Sequence, residues 1–201
     1  FDEASAHAVF AQSVKAPYVD INVRAARAGH DAVTAKFQGG AGECPGGDCA
    51  AHMILSGNRA LALGALAAGV QFYSAYPMSP STSIMEYLAL KSAETGIVVE
   101  QAEDEIAAVN MAIGASFAGA RAMTGTSGGG FSLKVEGLGL AGMTEIPLVL
   151  VNAQRPGPVT GFPTRTEQAD LKFVISASQG EFPRMVIALR HHEDAFTQTI
   201  R

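Results

Sequence analysis

From Met53 onward the apolar residues follow two alternating rhythms. Short runs at 71–76, 97–100, 122–126, 146–152 and 184–189 are apolar without polar alternation, which predicts strands covered on both faces. Longer stretches with helical spacing lie between them, at 58–69, 81–93, 131–143, from the acids at 103–105 to about Gly119, and from Glu167. A last helix is predicted to start near His192. Asn58 is placed to cap the first of these helices and Gly69 suits its C-terminal turn. Strict alternation of strand and helix predicts an α/β fold, a mainly parallel sheet sandwiched by helices. Ahead of this unit, residues 1–37 read as a short helix, a turn at Pro17, a strand-like alternation at Val19, Ile21 and Val23, and a helix over 24–37. That is too little to fold alone. Residues 38–52, QGGAGECPGGDCAAH, carry five glycines and a proline with almost no large apolar group, the composition of a linker. The expected organisation is therefore a leading piece over 1–37, a Gly-rich linker over 38–52 and a domain over 53–201. The first residue is Phe and the last, Arg201, falls inside the predicted final helix, so both ends read as cuts in a longer chain.

Composition narrows the classes. Of 201 residues, 48% are hydrophobic and 16% charged, enough to bury a substantial core. The net charge of −5 and the lack of any Lys/Arg run argue against nucleic-acid binding. No apolar run reaches the roughly 20 residues that a membrane-crossing helix needs, and a cytoplasmic location is the expectation. The two cysteines, Cys44 and Cys49, are spaced loosely for a metal and lack a second pair of ligands nearby. A plain loop and a site completed by another chain are the two readings left.

In open parallel sheets, ligands bind beyond the C-terminal ends of the strands. Four segments are expected to meet there: 76–82, 100–105, 126–130 and 152–166. Glu100, Glu103, Asp104 and Glu105 precede fifteen uncharged residues. Carboxylates suit the N-terminus of a helix, which accounts for Glu103 and Asp104. Glu105 shares its face with Ala108, Val109, Ala112 and Ser116, so it either complements the helix end or stands in a groove able to share a proton with a bound base. AYPMSPST is a Pro-stiffened turn whose Ser79, Ser81 and Thr82 suit an anion or simply cap a helix. TSGGGFS is a tight turn or a close approach for a ligand, and matches neither dinucleotide nor P-loop fingerprints. Arg155, at a strand end before Pro-Gly-Pro, is a carboxylate clamp or a surface cation, while Arg165 and Lys172 read as solvated.

Taken together, GNRALALGALAAGVQFYSAYPMSPST, QAEDEIAAVNMAIGASFAGARAMTGTSGGGFSL and QRPGPVTGFPTRTEQADL resemble the α subunit of 2-oxoacid:ferredoxin oxidoreductases, most closely the 2-oxoglutarate type. The likeness covers about residues 53–190. It implies a thiamine diphosphate-binding pyrimidine domain, here incomplete at its C-terminus, with 1–37 the tail of a fused γ domain. It implies a β subunit that carries the diphosphate, Mg²⁺ and an iron–sulfur cluster, hence a hetero-oligomer. The implied reaction is oxidative decarboxylation of a 2-oxoacid with coenzyme A, giving acyl-CoA and CO₂, with electrons passed to ferredoxin. Family members use a Glu, followed nine positions on by Gly, to hydrogen-bond N1′ of the aminopyrimidine and favour its imino tautomer. Glu105 and Gly114 match that interval. The resemblance also places Ser79 and Arg155 on the substrate carboxylate, and Tyr76, Pro77, Thr126, Ser127 and Gly128 beside the cofactor.

This sequence departs from the family at three points. Ser79 stands for the Thr of YPITPS, Gly129 for the Pro of SGPG, and Val159 for the Ser of GPST. These touch substrate choice and loop order more than the reaction. Two other readings compete: an assembly module without chemistry, and another thiamine enzyme of transketolase or acetolactate type. Retention of Glu105 opposes the first, and TSGGGFS with QRPGP opposes the second.

Overall fold

The computed structural model describes residues 1–37, 53–164 and 167–201. Arg165 and the 38–52 segment with Cys44 and Cys49 lie outside them. The chain forms two compact units, Phe1–His52 and Met53–Arg201.

In the first unit, helix α1 (Glu3–Ser13) is capped by Asp2, whose carboxylate accepts the amides of Ala4 and Ser5. Helix α2 (Val19–Lys36) packs against it. The alternation at Val19, Ile21 and Val23 is thus helical, not a strand. Val19 and Val23 are one turn apart and both buried, while Ile21 points outward at 54% exposure.

The second unit contains α3 (Gly57–Ala67), β1 (Phe72–Ala75), α4 (Thr82–Thr95), β2 (Val98–Gln101), α5 (Glu105–Phe117), β3 (Ala122–Thr126), α6 (Gly129–Met143), β4 (Val149–Asn152), α7 (Leu171–Ser176) and α8 (His192–Ile200). The four strands form a fully parallel sheet in the order β2-β1-β3-β4. The predicted strand over 184–189 does not form. Met185, Val186, Ile187 and Leu189 stay exposed, and the Arg184 guanidinium instead donates to the carbonyls of Val174 and Ala177. The helix predicted from Glu167 starts only at Leu171, after Asp170 at φ +59°. Ser56, not Asn58, caps α3. Asn58 instead donates its amide to Pro80 O at 2.7 Å and Ser83 Oγ at 2.8 Å, tying α3 to the turn after β1.

The two faces of the sheet differ in chemistry. On one, α3, α4 and α8 bury an apolar core of Leu61, Tyr73, Ile84, Met85, Leu88 and Met123 with small alanines between. On the other, α5 and α6 close so tightly that a Cβ on Gly137 would stand 2.6 Å from Val109 Cγ1. That layer holds polar groups: Ser74, Thr124, Thr126 and Lys134 are all fully buried. Ser74 Oγ donates to Ala108 O at 2.7 Å, and Thr124 Oγ1 donates to Ser74 O at 2.7 Å.

Tyr73 spans the apolar face with its hydroxyl over Gly125. Burial pushes that phenol well above its usual range, and the hydroxyl has no partner. A Cβ on Gly125 would collide with this oxygen. Gly125→Ala is expected to destabilise the protein by about 1–3 kcal/mol, and adding Tyr73→Phe should recover most of the loss. Thermal melting checks both, and an unchanged melting point for Gly125→Ala alone would contradict the contact.

Candidate active site

The two central strands, β1 and β3, run parallel, but their connections leave on opposite faces of the sheet. β1 leads into α4 on one face and β3 into α6 on the other, which opens a crevice beyond their C-terminal ends. Three turns border it: 76–81 after β1, 127–128 after β3, and 102–104 before α5.

Asp104 caps α5 by accepting the amide of Ala107 at 2.7 Å, and Glu103 is exposed. The first helical residue, Glu105, turns inward and is only 3% exposed. Its Oε1 is buried and, among the described residues, has no hydrogen-bond partner. Gly130, in the first turn of α6, marks where it ends: a Cβ there would stand 2.8 Å from Glu105 Oε1, 2.9 Å from Met78 Sδ, and against Thr126 Oγ1. Thr126 and Ser127 are fully buried, and their hydroxyls also lack partners. Native proteins rarely leave three such groups unsatisfied in one place, and each calls for a partner such as a water, an ion or a ligand.

The second cluster is built on Arg155, 5% exposed. Its Nη1 donates to Ser79 O at 2.8 Å, joining the loop after β4 to the turn after β1. Its Nε is buried and has no partner among the described residues. Gly128, at φ +50°, lets the side chain lie close, since a Cβ would meet Arg155 Nε at 2.6 Å. Asp170 pins the loop by accepting Arg155 N at 3.3 Å and Asn152 Nδ2 at 3.4 Å.

Glu105, Thr126, Ser127, Gly128, Ser79 and Arg155 thus gather around the glycine turn at the head of α6. Tyr76 and Pro77 carry β1 into the bordering turn, and Tyr76 is 38% exposed. The hydroxyl of Ser81 does not face outward as an anion seat; it donates back to Met78 O at 2.7 Å.

Sequence reading passed over Lys134. Phe131, Lys134, Gly137 and Ala141 form the buried stripe of α6, and a lysine inside that spacing was the visible signal. Its Nζ donates to Thr124 Oγ1 at 2.5 Å and to Gly125 O at 3.2 Å. Burial lowers it to about 8, against an opposing pull from the charge of Glu105.

The fold and site define a parallel-sheet α/β domain with an inward carboxylate at a strand-end crevice. The family model described as pyruvate flavodoxin/ferredoxin oxidoreductase, thiamine diphosphate-binding, matches residues 63–201. The chain belongs to this family. It is 50% identical over 158 residues to subunit alpha of 2-oxoacid:ferredoxin oxidoreductase 1 of Sulfurisphaera tokodaii, covering 73% of this chain and 25% of that protein. It is 44% identical over 148 residues to the 2-oxoglutarate synthase subunit KorA of Methanothermobacter thermautotrophicus, covering 74% and 39%. The solved 2-oxoglutarate:ferredoxin oxidoreductase of Magnetococcus marinus, with 2-oxoglutarate, coenzyme A and succinyl-CoA bound, superposes with a TM-score of 0.80 at 34% identity. That match covers 98% of this chain and 35% of the other. The chain spans about a quarter of the length of the first of these relatives. Among the described residues, no helix is long and apolar enough to cross a membrane.

Proposed function

We propose that this chain is the pyrimidine-binding part of the α subunit of a 2-oxoacid:ferredoxin oxidoreductase of the 2-oxoglutarate type. Residues 1–37 are the tail of a fused γ domain in this reading, and 38–52 the linker. The whole enzyme decarboxylates a 2-oxoacid oxidatively in the cytoplasm, transfers the acyl group to coenzyme A and passes electrons to ferredoxin. A β subunit completes the site and carries Mg²⁺ and an iron–sulfur cluster. The names of the relatives support the reaction class, and 2-oxoglutarate in the similar structure supports the substrate.

The observation that carries this reading is the buried, unpartnered Oε1 of Glu105 facing the glycine turn. An aminopyrimidine fits such a group, because a ring nitrogen can complete the missing hydrogen bond. Thiamine diphosphate, when bound, supplies the electron sink for decarboxylation. Glu105 holds or releases a proton at its carboxylate. Thr126 and Ser127 offer hydroxyls to the same ligand, and the absence of a Cβ at Gly128 and Gly130 lets Arg155 and Glu105 close on the turn. Tyr76 and Pro77 form the rim. Arg155 spends one N–H on Ser79 O and keeps others for a carboxylate.

The direct test is ferredoxin reduction by the assembled enzyme with 2-oxoglutarate, pyruvate and a branched-chain 2-oxoacid, each with and without thiamine diphosphate and coenzyme A. Reduction independent of thiamine would reject the function, and pyruvate as the preferred substrate would reject the 2-oxoglutarate type. Arg155→Ala is expected to raise the KM for 2-oxoacid by about tenfold or more, the usual weight of a charged hydrogen bond. An unchanged KM and kcat would remove Arg155 from substrate binding.

A further inference from the structure

The roles above leave Lys134 without a task. Its side chain is wholly out of water. Lysines are rarely buried unless paired, because the ammonium gives up its hydration. An ammonium has three hydrogens to donate, and this one is met by two neutral oxygens, Thr124 Oγ1 and Gly125 O. Neutral acceptors hold the group in place but leave its charge unbalanced.

Glu105 reaches α6 one turn before Lys134, since a Cβ on Gly130 would stand 2.8 Å from Glu105 Oε1, and its charge opposes the lowering of the Lys134 pKa by burial. The strands beneath the α5/α6 layer contribute Ser74, Thr124 and Thr126, which carry no charge. The two charged groups make no direct ion pair, but a bonded thread connects their supports. Thr124 Oγ1 donates to Ser74 O, which turns its lone pairs to the ammonium. The Ser74 hydroxyl donates to Ala108 O, one turn along α5 from Glu105. The position of Nζ and the first turn of α5 therefore belong to one frame.

We propose that Lys134 is a positioning residue for Glu105, its buried ammonium being the fixed counter-charge that keeps the carboxylate turned inward toward the ligand. The inference rests on the role proposed above for Glu105. Direct contact would use up the carboxylate oxygen that a ligand needs. A counter-charge held one step away would balance the charge and leave Oε1 free, and Oε1 has no hydrogen-bond partner among the described residues. A buried carboxylate with no counter-charge would be drawn toward water.

The test uses the assembled enzyme bearing Lys134→Met, Glu105→Gln or both, freed of thiamine diphosphate by dialysis. Melting temperatures then form a double-mutant cycle. Lys134→Met should change the melting temperature more favourably in the Glu105→Gln background than in the wild type, by about 5 °C or more. Equal changes in both backgrounds would overturn the pairing. In the loaded enzyme, Lys134→Met should lower kcat by about tenfold or more with KM for 2-oxoacid within about twofold, the signature of a lost transition-state interaction. An unchanged kcat would overturn the positioning role. If Lys134→Met fails to assemble, Thr124→Val removes the main acceptor of Nζ and should lower kcat in the same way, and an unaltered kcat there would equally overturn it. The two levels of inference fail differently. Thiamine-dependent turnover with additive melting shifts sinks the pairing alone, whereas coupled shifts without thiamine-dependent turnover sink the function proposed for the site.

Discussion

Glu105→Gln in the assembled enzyme should cut turnover by about 100-fold or more, the range seen when a positioned acid–base group is lost. Glutamine keeps the shape and length of the side chain, so the packing around it is undisturbed. What it cannot do is carry a proton to or from a ring nitrogen. The side chain is buried at 3% exposure, so bulk water cannot readily take over the task. Assembly, measured by gel filtration, should survive because Oε1 makes no hydrogen bond that holds the fold. Turnover within a few-fold of wild type would remove Glu105 from the mechanism and with it the main support for the proposed function.

Gly130→Ala sets two effects against each other. Helix propensity favours alanine over glycine by about 1 kcal/mol. The new methyl, however, would crowd Glu105 Oε1, Met78 Sδ and Thr126 Oγ1 together. Overpacking of this kind costs about 1–3 kcal/mol, so the net effect on stability runs from none to a loss of about 2 kcal/mol. The damage falls on the ligand, because the groups displaced are the unpartnered ones. Affinity for thiamine diphosphate should drop by about tenfold or more, since a shift of about 1.4 kcal/mol already gives that factor. Calorimetric titration of the assembled enzyme measures it, and an unaltered affinity would mean that the ligand does not approach this turn.

Much of this architecture was legible in the sequence because the central strands are short, free of charge and separated by stretches of helical spacing. Ala122–Thr126 reads unambiguously, since every residue in it is buried. The failures have local causes. Val19, Ile21 and Val23 fit both a period of two and the spacing of one helical turn, and packing against α1 selected the helix. The 184–189 run has strand composition, but the backbone there pairs with none of the four strands. Asn58 and Ser56 are both good caps, and only tertiary contact with Pro80 and Ser83 drew Asn58 away. The clustering of Glu105 with Thr126 and Ser127 could be anticipated from the parallel topology. Lys134 could not be weighed from its charge alone, because the thread through Thr124 and Ser74 joins residues 50 positions apart.

The unequal chemistry of the two faces of the sheet bears on how this protein could be engineered. The side lined by Leu61, Ile84, Leu88 and Met123 is a place where shape-filling substitutions can raise heat resistance without touching reactivity. The opposite side concentrates hydroxyls and opposed charges, and swapping them for hydrocarbon would make a sturdier but idle protein. A redesign for industrial durability should spend its mutations on the first side and leave the second as found.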